Sequence, residues 1–326
     1  MAKANAVSDK IPAVGNPPFL YGSFSAIWVY LKVPIATLNQ ILAKQSNALA
    51  AFPFDDLAEG GQDYGLMNIN FMSYSSDSGV NDPQSYADIL KPITYADPAP
   101  ASMGIEPTHE CEINIVSYAT AKTAQTPFGL TSSQFIQGRD HTKTLGNYRL
   151  WVPCDDRIAV YWGMHNFGEN KVMTYPFIYQ NPAPNNPGRT SWEFTIPAPV
   201  AEPATSALFS LSVDDLVGGP GVVGSNQSEI IDFSLYPHAA TNPASQRLVA
   251  SRRNVFGQFA CMTLESAKTA GVAFPDCTVK LGNSPHPMVA DLATMLGGSG
   301  LFRPAGMMTY HSAPAVAESA LYYADI

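Results

Sequence analysis

The sequence predicts an α+β fold that is mostly β: a large antiparallel barrel or cone of strands with a few packed helices. Three observations carry this expectation. Runs with strand-like alternation or β-branched and aromatic enrichment far outnumber runs with helical spacing. Several strand-like runs follow one another along the chain, which favours antiparallel neighbours over strand–helix–strand units. The 326 residues show no internal repeat and no clear domain boundary, so one domain over 23–326 is expected behind an extended, Ala-, Pro- and Gly-rich arm at 1–22.

The elements follow in order. S-A-I-W-V-Y-L-K-V (25–33) reads as a strand. In the run from Pro34, apolar Ile35, Leu38, Ile41, Leu42 and Leu49 fall at helical spacing, and Pro34 suits a first turn. G-L-M-N-I-N-F-M-S-Y alternates like a strand. Residues 75–108, rich in Ser, Asp and Pro and without periodicity, predict a long surface excursion. E-C-E-I-N-I-V-S-Y and N-Y-R-L-W-V-P-C are strands on either side of a polar stretch, 119–146. Asp155 and Asp156 are placed to cap a short helix, D-R-I-A-V-Y-W-G-M-H-N-F, closed by Gly168. K-V-M-T-Y-P-F-I-Y-Q reads as one further strand. More strands are expected at 191–197, 206–213, 228–236, 247–264, 276–281 and 304–312, with helices near 287–296 and 314–323.

Composition narrows the function. Hydrophobic residues make up 46% and charged residues 14%, a sparsely charged surface that points to a homo-oligomer with apolar subunit contacts. A net charge of −9 and no cluster of basic residues argue against nucleic acid as a partner. The N-terminus has no apolar core of signal-peptide length, and the most apolar region is broken by Ser, Gly, Lys32 and Pro34. No membrane association and a cytoplasmic location are therefore expected. Cys111, Cys154, Cys261 and Cys277 lie far apart and read as reduced, mostly buried thiols.

Several motifs lead nowhere. Gly219, Gly221 and Gly224 match G-x-G-x-x-G but lack a full strand before and a helix after, so a loop is expected there. H-E-C-E (109–112) has no second cluster at zinc spacing, and no metal is expected. There is no G-x-S-x-G and no phosphate-binding loop. His286 and His311 read as packed or surface histidines.

One lysine stands apart. Lys171 sits in W-G-M-H-N-F-G-E-N-K-V-M-T-Y-P, far from other basic residues. It is either an exposed side chain in a turn or an amine in an apolar pocket, where desolvation makes it a nucleophile.

The run D-D-R-I-A-V-Y-W-G-M-H-N-F-G-E-N-K-V-M-T-Y-P resembles the active-site segment of the acetoacetate decarboxylase family. The separation of Gly163 from Lys171, Y-P at 175–176 and the preceding N-Y-R-L-W-V-P-C all carry the likeness. E-C-E-I-N-I resembles the strand that brings a family carboxylate into the pocket, at Glu112. The order of elements is similar over 20–320, and the motifs are specific over 110–177. The resemblance implies a barrel or cone of the acetoacetate decarboxylase type and a Schiff-base-forming carbon–carbon lyase that needs no cofactor. It further implies a small β-keto acid or related keto acid as substrate.

On that reading Lys171 is the nucleophile, and Glu112 and His165 are candidate proton carriers. Trp162, Phe167, Met173 and Tyr175, with Val172, form an apolar wall around the substrate. The sequence also departs from the family pattern. Gly-Arg-Glu is Gly163-Met164-His165, and the Pro before the lysine is Asn170. The second lysine is Val172, and no clear match exists for the carboxylate-binding arginine, near Phe24 or Ser25. A second pocket glutamate has no evident place near Gln134. Aldol or dehydration chemistry at the same lysine, and a binding protein without chemistry, are therefore carried as alternatives.

Overall fold

The computed structural model describes residues 19–76 and 105–323, apart from 141, 143, 167, 183–189, 217–218, 226–228, 237–246, 257–258 and 313–314. Most of the expected arm and of the 75–108 excursion lies outside the described residues. In chain order the first elements are β1 (Phe19–Pro34), α1 (Ile35–Ala43), β2 (Leu49–Ala51), β3 (Tyr64–Ser76), β4 (Ile105–Ala119) and α2 (Ser132–Ile136). Next come β5 (Leu145–Cys154), α3 (Arg157–Asn166), β6 (Lys171–Met173), β7 (Ile178–Gln180), β8 (Ser191–Pro197) and β9 (Ala207–Asp214). The chain continues with β10 (Val223–Ser225), β11 (Glu229–Tyr236), β12 (Arg247–Phe256), β13 (Phe259–Thr263) and α4 (Leu264–Ala270). It ends with β14 (Cys277–Leu281), α5 (Pro287–Leu296), β15 (Gly300–Phe302), β16 (Gly306–Ser312) and β17 (Ala315–Tyr323).

The fold is mostly β, as the alternation predicts. Strand pairing runs from β1 to β3, β4, β5, β11, β12, β17 and back to β1, a ring that is antiparallel except at β5–β11. The ring closes through short contacts, two residue pairs between β5 and β11 and three between β1 and β17. One edge of β1 serves two partners, β17 at Phe19–Tyr21 and β16 at Phe24–Tyr30. A second, five-stranded sheet has the order β15-β14-β9-β8-β7.

The two faces of the large sheet differ, because successive side chains on a strand point opposite ways. Ile27, Val29 and Leu31 of β1, Met67, Ile69 and Phe71 of β3, and Ile113 and Ile115 of β4 form one buried cluster. Trp192, Phe194 and Ile196 of β8 belong to it, so this face is the interface between the sheets. Phe71 is its centre, stacked on Phe194 at 4.7 Å between ring centroids and edge-on to Trp192 at 6.2 Å. The opposite face carries Trp28, Met72, Tyr74, Phe259 and Tyr310. Between them lie buried polar residues: Asn68 and Asn70, then Glu110, Glu112 and Asn114, then Arg149.

Several sequence expectations need correction. The periodic run 35–49 is helical only to Ala43; Leu49 starts β2, which pairs with β4. The run after Lys171 is two short strands in different sheets, because β6 pairs with β5 and β7 with β8. The stretch 247–264 is two strands, and the helix α4 follows it. Its Thr263 cap accepts from Ser266 N at 3.2 Å, a signal inside the run read as strand. Residues 315–323 form strand β17, not a helix; pairing with β1 and β12 overrides their local helical preference. Among the described residues, no helix is long and apolar enough to cross a membrane.

Phe71→Ala is expected to cost about 3–5 kcal/mol, because it opens a cavity between the sheets; urea denaturation against the parent measures it. A second expectation concerns pH. His286 Nδ1 accepts from Met288 N at 3.3 Å and caps α5, while the ring meets Trp151 edge-on at 4.9 Å. Burial lowers the His286 pKa, against the opposing pull of Glu202 and Asp291. The folded chain therefore favours the neutral ring, which alone has an acceptor to offer. Its contribution is complete above the unfolded value, about 6.5, and is lost as pH falls through the folded value. His286→Asn keeps a capping acceptor and should flatten this part of the stability–pH profile.

Candidate functional site

The site is built where β5 turns into α3 and returns as β6. Asp156 caps α3, accepting from Ala159 N at 2.7 Å. Asp155 ties the turn to β4 and to the chain beyond β6, accepting from His109 N at 2.7 Å and Phe177 N at 3.3 Å, with His109 Nδ1 at 2.6 Å. Gly168 adopts φ of 65°, the left-handed conformation that ends the helix. Glu169 N then donates to Gly163 O at 2.9 Å. Asn170 Nδ2 donates to Leu150 O at 2.8 Å, and β6 pairs parallel to β5 with Lys171 opposite Val152.

This return buries Lys171, which is 8% exposed. Its Nζ is ion-paired with Glu110 Oε2 and lies 3.6 Å from Glu169 Oε2. The hydroxyl of Tyr74 donates to the same Glu110 oxygen at 3.1 Å. Glu169 Oε1 is ion-paired with Arg149 Nη1, and Arg149 Nη2 reaches Glu112 Oε1 at 2.8 Å. Asn70 Nδ2 and Asn114 Nδ2 each donate to Glu112 Oε2 at 3.0 Å. The order is therefore Tyr74, Glu110, Lys171, Glu169, Arg149, Glu112, Asn70 and Asn114, drawn from β3, β4, β5 and the return into β6.

Gly163 makes the close approach possible. A Cβ there would collide with Cδ and Cε of Lys171 and with Glu169 Oε2. The glycine of α3 thus lets the helix lie directly on the lysine side chain.

The structure places the expected residues as follows. Glu110 reaches the Lys171 amine, whereas Glu112, two residues along the same face, is held by Arg149. Met173 packs with Cys154, Ala159 and Val160. The Tyr175 hydroxyl donates to Glu202 O at 3.1 Å, which ties it to a neighbouring turn. Trp162 and His165 lie on α3, but their side chains, and all of Phe167, are outside the described residues. Among the described residues, the charged partners of the amine are the carboxylates of Glu110 and Glu169.

Sequence reasoning passed over Glu110 as a partner of the lysine, and it passed over Arg149, Glu169, Asn70 and Tyr74. The signal was present in N-I-N, E-C-E-I-N and N-Y-R, where polar residues alternate on three strands. That pattern usually means a solvated face; in a closed ring it is the interior.

The remaining motifs are structural. Gly221 has φ of 80° in a turn leading to strand β10, so no helix follows the glycine-rich stretch. Among the described residues, no group of His, Cys, Asp and Glu is arranged to hold a metal. The four cysteines are free and buried, and burial pushes the Cys261 and Cys277 thiols up to about 12.

Gly163→Ala is expected to destabilise the fold by about 1–3 kcal/mol through overpacking on Lys171. Met164→Ala, one residue on and 43% exposed, should stay within about 0.5 kcal/mol. Arg149→Met leaves buried carboxylates without their counter-charge and should cost about 3–5 kcal/mol. Chemical denaturation of the three variants ranks these effects.

No protein-family model matches the chain, and no curated protein matches its sequence. Solved structures do match. An acetoacetate decarboxylase-like enzyme from Sphingomonas wittichii RW1 aligns with a TM-score of 0.54 at 16% identity, over 96% of this chain and 94% of that one. Acetoacetate decarboxylase from Legionella pneumophila aligns with a TM-score of 0.52 at 7% identity, over 95% and 88%. The enduracididine biosynthesis enzyme MppR, complexed with the condensation product of pyruvate and imidazole 4-carboxaldehyde, gives 0.51 at 11% identity, over 94% and 89%. These identities speak for architecture, and they agree with the ring, the second sheet and the order of elements: this chain has the acetoacetate decarboxylase-like fold in a widely diverged sequence.

Proposed function

We propose that this chain is an enzyme, a carbon–carbon lyase that forms a Schiff base between Lys171 and a small keto acid. The observation that carries the proposal is the buried Lys171 amine, ion-paired with Glu110 in the interior of the ring. Burying a charge is costly unless it is paired, and Glu110 supplies both the pair and an acceptor for the amine's proton.

The chemistry follows from the two partners. Transfer of a proton from Nζ to Glu110 frees the nitrogen lone pair, which attacks the carbonyl carbon. The carbonyl oxygen takes up two protons and leaves as water, giving a protonated imine. That imine draws in the electron pair of an adjacent bond. From a β-keto acid the C–COO⁻ bond breaks, carbon dioxide leaves, and the electron pair stays as an enamine, which takes a proton on carbon to become an imine again. From a C–H bond the proton passes to a carboxylate, and the same enamine adds to an aldehyde. Hydrolysis of the imine returns the amine in either case.

One observation favours the second route, aldol or dehydration chemistry. Two carboxylates, Glu110 and Glu169, flank the amine. A carboxylate beside the imine is a base in position for C–H removal. A substrate carboxylate on the scissile bond would instead meet like charge. MppR, on the same fold, is described with a pyruvate–aldehyde condensation product, which is in keeping with this route.

Borohydride reduction in the presence of pyruvate or acetoacetate, followed by trypsin and mass spectrometry, tests the amine. A reduced adduct blocks cleavage after Lys171 and fuses residues 158–171 to the segment ending at Arg189. Normal cleavage there with every keto acid tried would move the chain to the class of binding proteins. Glu110→Gln should slow turnover by roughly 10²–10⁴-fold if Glu110 carries the proton. Carbon dioxide release, compared with new carbon–carbon product, separates the two routes.

A further inference from the structure

Two buried amide oxygens next to Glu112 have no hydrogen-bond partner among the described residues: Asn70 Oδ1 and Asn114 Oδ1. Their direction is fixed by chemistry. An ionised carboxylate only accepts hydrogen bonds, so both side chains must turn their NH₂ groups to Glu112 Oε2, where each sits at 3.0 Å. The carbonyl oxygens then necessarily point away from Glu112. The next amides lock the arrangement further. Asn114 Nδ2 also donates to Asn68 Oδ1 at 2.9 Å, and Asn68 Nδ2 donates to Asn147 Oδ1 at 3.1 Å. Flipping either Asn70 or Asn114 would set a carbonyl oxygen against a carboxylate.

Asn70 and Asn114 are 3% and 0% exposed, and buried acceptors are rarely left unmet. Both lie on the face of the sheet that carries Glu110. Glu110 and Glu112 are two residues apart on β4, about 7 Å along the strand. Both amides meet at Glu112 Oε2, so their carbonyl oxygens lie on the order of 7–10 Å from the lysine's partner, near the far end of a short carbon chain.

We propose that Asn70 and Asn114 form an acceptor pair for hydroxyl groups on the part of the substrate that extends away from Lys171. The substrate class is then a hydroxylated keto acid of about five or six carbons, longer than pyruvate or acetoacetate. This inference rests on the Schiff-base reading for where the carbonyl end is held. Glu112, clamped by Arg149 and both asparagines, acts as a positioning residue that aims the two carbonyls.

Matched ligands test it: 2-oxohexanoate against its 4-, 5- and 6-hydroxy derivatives, with binding followed by isothermal titration calorimetry and imine formation by borohydride trapping at Lys171. At least one hydroxylated ligand should bind roughly tenfold or more tightly than the parent, because a site built for a hydroxyl discriminates against its absence. The preference should persist in Lys171→Ala, which cannot form an imine, and fall towards unity in Asn114→Leu and Asn70→Leu. Circular dichroism confirms that each variant is folded. The ratio in the unaltered chain decides the matter without any variant.

A hydroxyl preference without trapping would support the acceptor pair and sink the Schiff base. Trapping with equal affinity for all four ligands would overturn the acceptor pair and keep the Schiff base. Neither signal would overturn both.

Discussion

The pairing of Lys171 and Arg149 with Glu110, Glu112 and Glu169 is the constraint around which the rest of the structure is arranged. Each of these charges is almost fully out of water, and an unpaired ion in such a place costs several kcal/mol. The geometry must therefore be held firmly from all sides. Long strands meet this demand, since β3, β4 and β5 pair with one another over most of their length. The ring closes through β11, β12 and β17. The five-stranded sheet seals the outer face with the aromatic contacts of Phe71.

The lysine enters this framework from outside the long strands. It arrives on three residues of β6, delivered by α3 and a left-handed glycine. Such a short strand has few bonds of its own, so its position is set by contacts with its neighbours. Asn170 fastens it to Leu150 of β5, and Gly163 brings the helix against the lysine stem. The turn at Asp155 fixes the same segment to His109, next to Glu110. Asp155 thus adds a tie between the chain around Lys171 and the strand that carries Glu110.

Much of the fold was legible in the sequence because alternation is a local signal. Strands β3, β4, β8 and β16 read correctly from their own residues, as did α5. The capping aspartate and Gly168 gave α3 the same clarity. The cap at Thr263 was a local signal inside a run read as strand, and the other failures come from pairing that local residues do not encode. Residues 315–323 are drawn into a strand by β1 and β12, and the run after Lys171 divides between two sheets. In the site, the family resemblance pointed to Lys171 and to Glu112, and the carboxylate that pairs with the amine is Glu110. Both carboxylates face the same way on β4, and the choice depends on where β6 lands, which no local pattern reveals. Arg149 escaped notice because an arginine on an alternating strand ordinarily faces solvent.

The position after the lysine shows how far the site departs from the family it resembles. Members that decarboxylate acetoacetate carry a second lysine there, and the neighbouring cation raises the reactivity of the first. Here Val172 is partly buried and packs on the apolar cluster between the sheets, opposite in direction to Lys171. Its side chain belongs to the core, so the cation is not merely shortened but replaced by packing. The nearby positive charge comes instead from Arg149, across Glu169, on a different strand. A cation separated from the amine by a carboxylate orients that carboxylate more than it repels the amine's proton. The acceptor nearest the amine is Glu110, itself hydrogen-bonded by Tyr74. On the proposed reading, carboxylates rather than a second amine surround the nitrogen, which suits removal of a C–H proton beside the imine.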